Sequence, residues 1–211
     1  MMEENLKSIL NELGNTSLIA VSKTRSIDEI MRVYNMGIRD FGENKVQELV
    51  SKINLLPSDI NWHMIGHLQS NKVKDIIGKV RLIHSVDTVK LARVIDKEAK
   101  KKDIVQDILL EINIANEESK YGFNVLEIDD AINSIKELSN INILGFMCVL
   151  PYVEDANDNR KYFKLMRELS YKYGYNILSM GMSNDYMVAI QEGATYVRIG
   201  TKIFGERDYS K

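Results

Sequence analysis

Apolar residues recur along this chain in two alternating patterns, regular enough to predict an architecture. Met2, Leu6, Ile9, Leu10 and Leu13 share one face at helical spacing, and Ser17-Leu18-Ile19-Ala20-Val21 then reads as a buried strand. Ile27, Ile30, Met31 and Tyr34 form the next helical face, with Ser26 placed to cap it and Gly37 to stop it. Strand-like runs follow at 40–43, 62–65 and 81–86. Between and after them lie helical stripes through Val46, Leu49 and Val50, over about 70–79, and through Leu91, Val94, Ile95 and Ala99, the last with Asp87 as its expected cap. The second half repeats the scheme, with strands expected at 107–113, 141–149, 177–182 and 196–200. Their helices run through Ile128, Ala131, Ile132, Ile135 and Leu138, through Tyr162, Leu165, Met166, Leu169 and Tyr173, over 185–192, and briefly over 202–204.

Eight strands, each followed by a helical segment, imply a parallel sheet with right-handed crossovers. In 211 residues, eight such units close into a barrel more economically than they spread into an open doubly wound sheet. The predicted fold class is therefore α/β, a single (β/α)8 TIM barrel with an extra N-terminal helix, and one domain over 1–211. No linker or low-complexity stretch divides it, and both prolines, Pro57 and Pro151, fall between elements.

Composition changes this picture little. A net charge of −2 gives no general reason to expect nucleic acid or an anionic membrane as partner. The basic run Lys100-Lys101-Lys102 falls at a helix end, where cations suit the dipole. The single Cys148 excludes an internal disulfide and reads as a small buried hydrophobe. No apolar run approaches the roughly 20 residues that cross a bilayer, and the first residues alternate charge with apolar positions, so no leader is expected and the location is taken as cytoplasmic.

Candidate chemistry gathers where a parallel barrel puts it, at the C-terminal strand ends. The first strand ends in Ser22-Lys23, the second in Glu43-Asn44, the fifth in Asn113, the seventh in Ser183-Asn184 and the eighth in Gly200-Thr201, while the fourth carries His84. The loops after strands seven and eight are the usual phosphate site of such barrels. Here they hold Gly181-Met182-Ser183-Asn184 and Gly200-Thr201, offering hydroxyls and close backbone approach, although Ser183 and Thr201 could equally be helix caps. Arg198 alternates with Val197 and Ile199, so it points into the barrel if they face the helices. A buried guanidinium needs partners; a ligand and an ion pair with Glu111 are the two alternatives. Lys23 could form a Schiff base with an aldehyde if desolvated, or be an ordinary solvated strand-end lysine. A lysine, phosphate loops and a group for a pyridine nitrogen are the parts of a pyridoxal phosphate site. His63 and His67 have a zinc-like spacing, but the helix and glutamate of a metalloprotease are missing, and no metal is expected.

Taken together, IAVSKTRS from Ile19, FGENKVQEL from Phe41, WHMIGHLQSNKVK from Trp62, IHSVD from Ile83, LLEINIANEESKYGF from Leu109, LSMGMSNDY from Leu178 and VRIGTKIFGER from Val197 resemble the pyridoxal phosphate homeostasis proteins (the YggS/PROSC family) nearly end to end. That resemblance implies a barrel like the N-terminal domain of alanine racemase that carries pyridoxal 5′-phosphate as a Schiff base on Lys23. It further implies phosphate contacts from Ser183, Gly200 and Thr201, Arg198 at the pyridine nitrogen, and Asn44, Met64 and Ile65 near the ring; His84 is taken with them as a site residue. Lys120 is a second amine to consider, with a solvated loop position as its alternative. Alanine racemase needs a second, β-rich domain with a catalytic tyrosine, which the ten residues after Thr201 are not expected to encode. A carrier serving vitamin B6 homeostasis, a monomer rather than a dimer, with apo forms of pyridoxal-phosphate enzymes as recipients, is therefore preferred over a weak amino-acid racemase. A barrel enzyme binding an ordinary sugar phosphate, with a structural Lys23, is the third reading.

Overall fold

The structure is a computed structural model that describes residues 2–117 and 120–206. Glu118, Ser119 and Arg207, which belong to two of the sequence segments quoted above, lie outside the described residues. The chain opens with α1 (Met2–Glu12), and eight strands then alternate with helices: β1 (Ser17–Val21), α2 (Ile27–Asn35), β2 (Asp40–Glu43), α3 (Val46–Ile53), β3 (Asn61–Met64), α4 (Val73–Ile76), β4 (Leu82–Val86) and α5 (Val89–Lys101). The second half contributes β5 (Gln106–Glu111), α6 (Ile128–Lys136), β6 (Ile141–Met147), α7 (Arg160–Tyr173), β7 (Ile177–Ser179), α8 (Tyr186–Gln191), β8 (Tyr196–Ile199) and α9 (Thr201–Phe204). The strands pair in parallel in chain order, and β8 closes on β1 with Ile19 opposite Arg198. The expected (β/α)8 TIM barrel with its extra N-terminal helix is the fold.

Alternation along the strands sorts side chains into two layers. Residues such as Leu18, Ala20, Phe41, Met64, Ile83, Ile108, Phe146 and Val197 join the helix stripes in one continuous buried cluster. The other parity fills the barrel's interior, where Leu82, Leu109 and Met147 pack with Ile177 and Tyr196. Each large aliphatic or aromatic side chain removed from water in these layers contributes about 1.5–3 kcal/mol, the main term opposing chain entropy.

Local rules explain most boundaries. Ser26 accepts from the Glu29 amide while Glu29 reaches back to the Ser26 amide, a complete capping box at the start of α2. Three expectations need correction. Asp87 does not cap α5; Thr88 accepts from the Leu91 amide, and the Asp87 carboxylate is engaged by His67. The helix expected over 70–79 is a 3-10 turn running into the four-residue α4, stopped because Ile77 is extended and Gly78 has φ +73°. Finally, β7 ends at Ser179, because the chain turns away through Gly181 at φ +90°.

Candidate functional site

The C-terminal strand ends surround a cavity of about 440 Å³. Lys23, Asn44, Ile65, Ser183, Arg198, Gly200 and Thr201, all expected site residues, line it, together with Val21, Arg25, Val149, Tyr152, Met182 and Asn184. These seven positions, drawn from the ends of five different strands, meet because parallel strands in one barrel all end at the same mouth. Another concavity runs along the outside of α5, past Lys90, Arg93 and Lys97, but those are helix-surface cations away from the strand ends.

Lys23 sits between two clamped neighbours. The buried Ser22 donates its hydroxyl to Glu43 Oε1 at 2.6 Å, and its carbonyl accepts from Lys52 Nζ at 2.7 Å. Lys52 also holds Glu43 at 2.7 Å and Glu48 at 2.6 Å. Thr24 adopts φ +65°, unusual for a non-glycine residue, and its amide donates to Glu48 Oε1 at 2.6 Å. Burial pushes the Glu43 carboxyl above the usual range, outweighing the opposite pull of Lys52 and Ser22. The ion pair therefore orders the backbone around Lys23 more than it adds stability.

The two expected phosphate loops touch each other. The Lys202 amide donates to Ser183 Oγ at 3.4 Å, so this hydroxyl faces α9 rather than capping α8. The Ser183 loop is shaped by the buried Asp185, which accepts from the Met182 amide at 2.8 Å and from Asn159 Nδ2 at 2.9 Å. Glycine is required at 181, because a Cβ there would lie 2.5 Å from the Ala189 Cβ and φ is left-handed.

Arg198 is 4% exposed and enters the cavity from the interior of β8. Its Nη1 donates to Ser179 Oγ and its Nη2 to the Cys148 carbonyl, both at 2.7 Å. The ion pair with Glu111, left open by the sequence, is absent among the described residues; Glu111 lies only close enough to act on Arg198 through space. Burial lifts the Glu111 carboxyl to about 7, with the nearby Asp87 adding to it. Burial likewise lifts the Cys148 thiol to about 12, which makes it an unreactive core residue.

Two expected site residues do not reach the cavity. Met64 is fully buried among the helix-facing residues, because alternation on β3 turns His63 and Ile65 inward and Met64 outward. His84 is fully buried inside the barrel and approaches the cavity only through Ser179, which accepts the Arg198 bond. Lys120 does not line the cavity; it acts on Glu111 through space. His63 and His67 diverge: His63 points inside the barrel, while His67 binds Asp87 at 3.1 Å and stacks on Tyr121 at 3.8 Å between ring centres. Glu43 was noted as a strand-end polar residue, whereas Ser179, Asp185, Glu48 and Lys52 were missed in the sequence. Small or charged residues inside otherwise apolar runs were their one signal, and their partners are remote in the chain.

A closed barrel with a lysine after its first strand and an arginine in its last defines the class. A family model described as "Alanine racemase, N-terminal domain" matches residues 1–208. The "Pyridoxal phosphate homeostasis protein" of Aquifex aeolicus is 47% identical over 199 residues, covering 91% of this chain and 87% of that protein. Its namesake from Escherichia coli is 36% identical over 204 residues, covering 92% and 87%. The chain thus belongs to the alanine racemase N-terminal-domain family and, within it, to the pyridoxal phosphate homeostasis proteins. PipY of Synechococcus elongatus, solved with PLP bound, superposes with a TM-score of 0.88 at 33% identity, covering 97% of this chain and all of PipY. Alanine racemase of Clostridium difficile superposes at 0.82 with 16% identity, which establishes a common fold; the match spans 56% of that enzyme.

Proposed function

We propose that this protein binds pyridoxal 5′-phosphate in the strand-end cavity, holds it covalently on Lys23, and serves intracellular vitamin B6 homeostasis as a carrier without turnover. The observation that carries this reading is one cavity lined jointly by Lys23, Arg198, Ser183, Gly200 and Thr201. The residues fit the group. Asn44 Oδ1 is buried without a hydrogen-bond partner at this same cavity, an acceptor awaiting a donor. Ser183, Gly200 and Thr201 would donate to phosphate oxygens, and Ile65 and Val21 would pack on an apolar ring. Arg198 stays protonated under all practical conditions, so at a pyridine nitrogen it can only donate. That keeps the nitrogen unprotonated and weakens the ring as an electron sink, which suits storage better than broad carbanion chemistry. When bound, the group would supply an aldehyde carbon as electrophile, and the amine of Lys23 is the residue that would hold it.

The relatives' name, homeostasis protein, supports a role other than an enzyme's, and PipY with PLP bound supports the ligand. We read residues 1–211 as one barrel domain, monomeric and cytoplasmic, passing cofactor to apo-enzymes that need it. No described helix is long and apolar enough to cross a membrane. The test is to incubate the purified protein with pyridoxal phosphate, reduce with borohydride and map peptides. A visible absorption band and a pyridoxyl label on Lys23 are expected. A label mainly on Lys120, or none, overturns the assignment; a sugar phosphate binding more tightly overturns the ligand.

A further inference from the structure

Beneath the cavity, the barrel interior contains a file of polar side chains that Lys23 and the phosphate loops do not use. Asp40 Oδ1 is 2.9 Å from His63 Nε2, His63 Nδ1 is 2.9 Å from His84 Nε2, and His84 Nδ1 is 2.8 Å from Ser179 Oγ. Ser179 Oγ in turn accepts from Arg198 Nη1 at 2.7 Å. His63, His84 and Ser179 are completely buried, and Tyr196 packs edge-on against both rings. Asp40 is the first residue of β2, a quarter exposed at the mouth opposite the cavity. The file thus runs through the barrel from one end to the other.

Its proton positions follow from donor and acceptor chemistry. Arg198 can only donate, so Ser179 accepts from it and has its own hydroxyl hydrogen to place. Among the described residues, the other recorded partner of that hydroxyl is His84 Nδ1. If Ser179 donates there, His84 carries its hydrogen on Nε2 and donates to His63 Nδ1. His63 then carries its hydrogen on Nε2 and donates to Asp40. Every group donates once along the file, from a guanidinium to a carboxylate, and bonds aligned in this way polarise one another in a low dielectric. Burial, with the adjacent His63 ring and Arg198 adding to it, holds His84 well below the ordinary imidazole value, consistent with a neutral ring. The reverse direction would strand the Ser179 hydrogen without an acceptor in a buried site.

We propose that Asp40, His63, His84 and Ser179 are positioning residues for Arg198: a one-way hydrogen-bond file that fixes the guanidinium at the cavity floor and supplies its counter-charge from the far end of the barrel. This rests on the reading of the cavity as a pyridoxal phosphate site and deepens it, because it makes recognition of the ring nitrogen depend on a carboxylate outside the cavity. Without the file, Arg198 would be able to turn toward Glu111, the interior carboxyl that acts on it through space.

The test compares binding of pyridoxal phosphate with that of its analogue whose ring nitrogen is replaced by carbon, in the full-length protein. Wild type is expected to prefer the nitrogen-containing ligand. Ser179→Ala and Asp40→Ala are expected to reduce that preference roughly tenfold or more, since a hydrogen bond to a charged group is lost or misdirected. Asp40→Asn, which still accepts from His63, should recover part of it. Equal losses for both ligands, with the preference intact, would mean a merely structural role and overturn the proposal. Histidine ¹⁵N spectra of the apo protein give a ligand-free check, with both rings expected as neutral Nε2–H tautomers. An Nδ1–H tautomer or a charged ring at either position overturns the file. If wild type binds neither ligand, the cofactor reading falls, and the file stands or falls by these spectra and by whether Arg198→Lys shifts the His84 resonances.

Discussion

Glu111 lies 7% exposed at the C-terminal end of β5, near Arg198 and Asp87, and its carboxyl is lifted to about 7 chiefly by burial. The folded protein therefore holds this proton more tightly than the unfolded chain, whose carboxyl ionises in the ordinary range near 4.5. Below the unfolded value both states are protonated and the stabilisation is fully present; as pH rises through about 7 it is lost. Glu111→Gln removes the proton exchange, so its stability relative to wild type should rise from about pH 4.5 to pH 8, by roughly 3 kcal/mol in total. Urea denaturation midpoints of both proteins across that range check this, and a pH-independent difference contradicts it. At this scale the sequence was informative about type and face. Strand alternation marked Arg198 as interior, but the ion pair with Glu111, one of the two alternatives it left open, is not formed among the described residues. Alternation gives the side of a strand a residue occupies, whereas its partner depends on barrel stagger.

Among elements, the loop from β7 to α8 and the turn from β8 to α9 act together. The Lys202 amide binds Ser183 Oγ across them, so the two expected anion-binding hydroxyls belong to one surface. Replacing Ser183 and Thr201 together by Ala should weaken pyridoxal phosphate binding far more than binding of unphosphorylated pyridoxal. Each charge-assisted hydrogen bond contributes about 1.5–3 kcal/mol, so titration of the two ligands will separate them clearly. Equal effects would put the phosphate elsewhere. The first strand and α2 depend on a different device, the Glu43–Glu48–Lys52 cluster that grips the backbone on either side of Lys23. Lys52→Met should leave Glu43 buried without its cation, a loss of about 3–5 kcal/mol measurable by thermal or urea unfolding. The first device was legible in part, because the sequence itself offers Ser183 and Thr201 as a phosphate site with helix caps as the alternative, whereas the second was not, since nothing local in the chain ties Lys52 to the backbone of Ser22.

For the whole molecule, the carrier reading predicts negligible turnover. Loaded with pyridoxal phosphate, the protein should not racemise, transaminate or decarboxylate common amino acids at useful rates. Chiral chromatography and keto-acid assays decide this; robust turnover that vanishes in Lys23→Ala would replace the carrier with an enzyme. The fold shared with the much longer Clostridium difficile alanine racemase gives no presumption of the same activity, because chemistry belongs to the site and not to the barrel.

Hydrophobic periodicity alone determined that this chain alternates eight strands with helices, and hence that it closes into a barrel with Lys23, Asn44, Ser183, Gly200 and Thr201 at one end. Period and strand polarity are local properties, written in residues a few positions apart. The tertiary structure alone decided which inward residues meet. Met64 faces the helices, His84 lies below the cavity, and Asp40, His63, His84 and Ser179 connect four strands into one file ending at Arg198. Those contacts depend on closure of the sheet and the stagger between strands, which bring together residues as far apart as Asp40 and Arg198 and which no local pattern in the chain encodes.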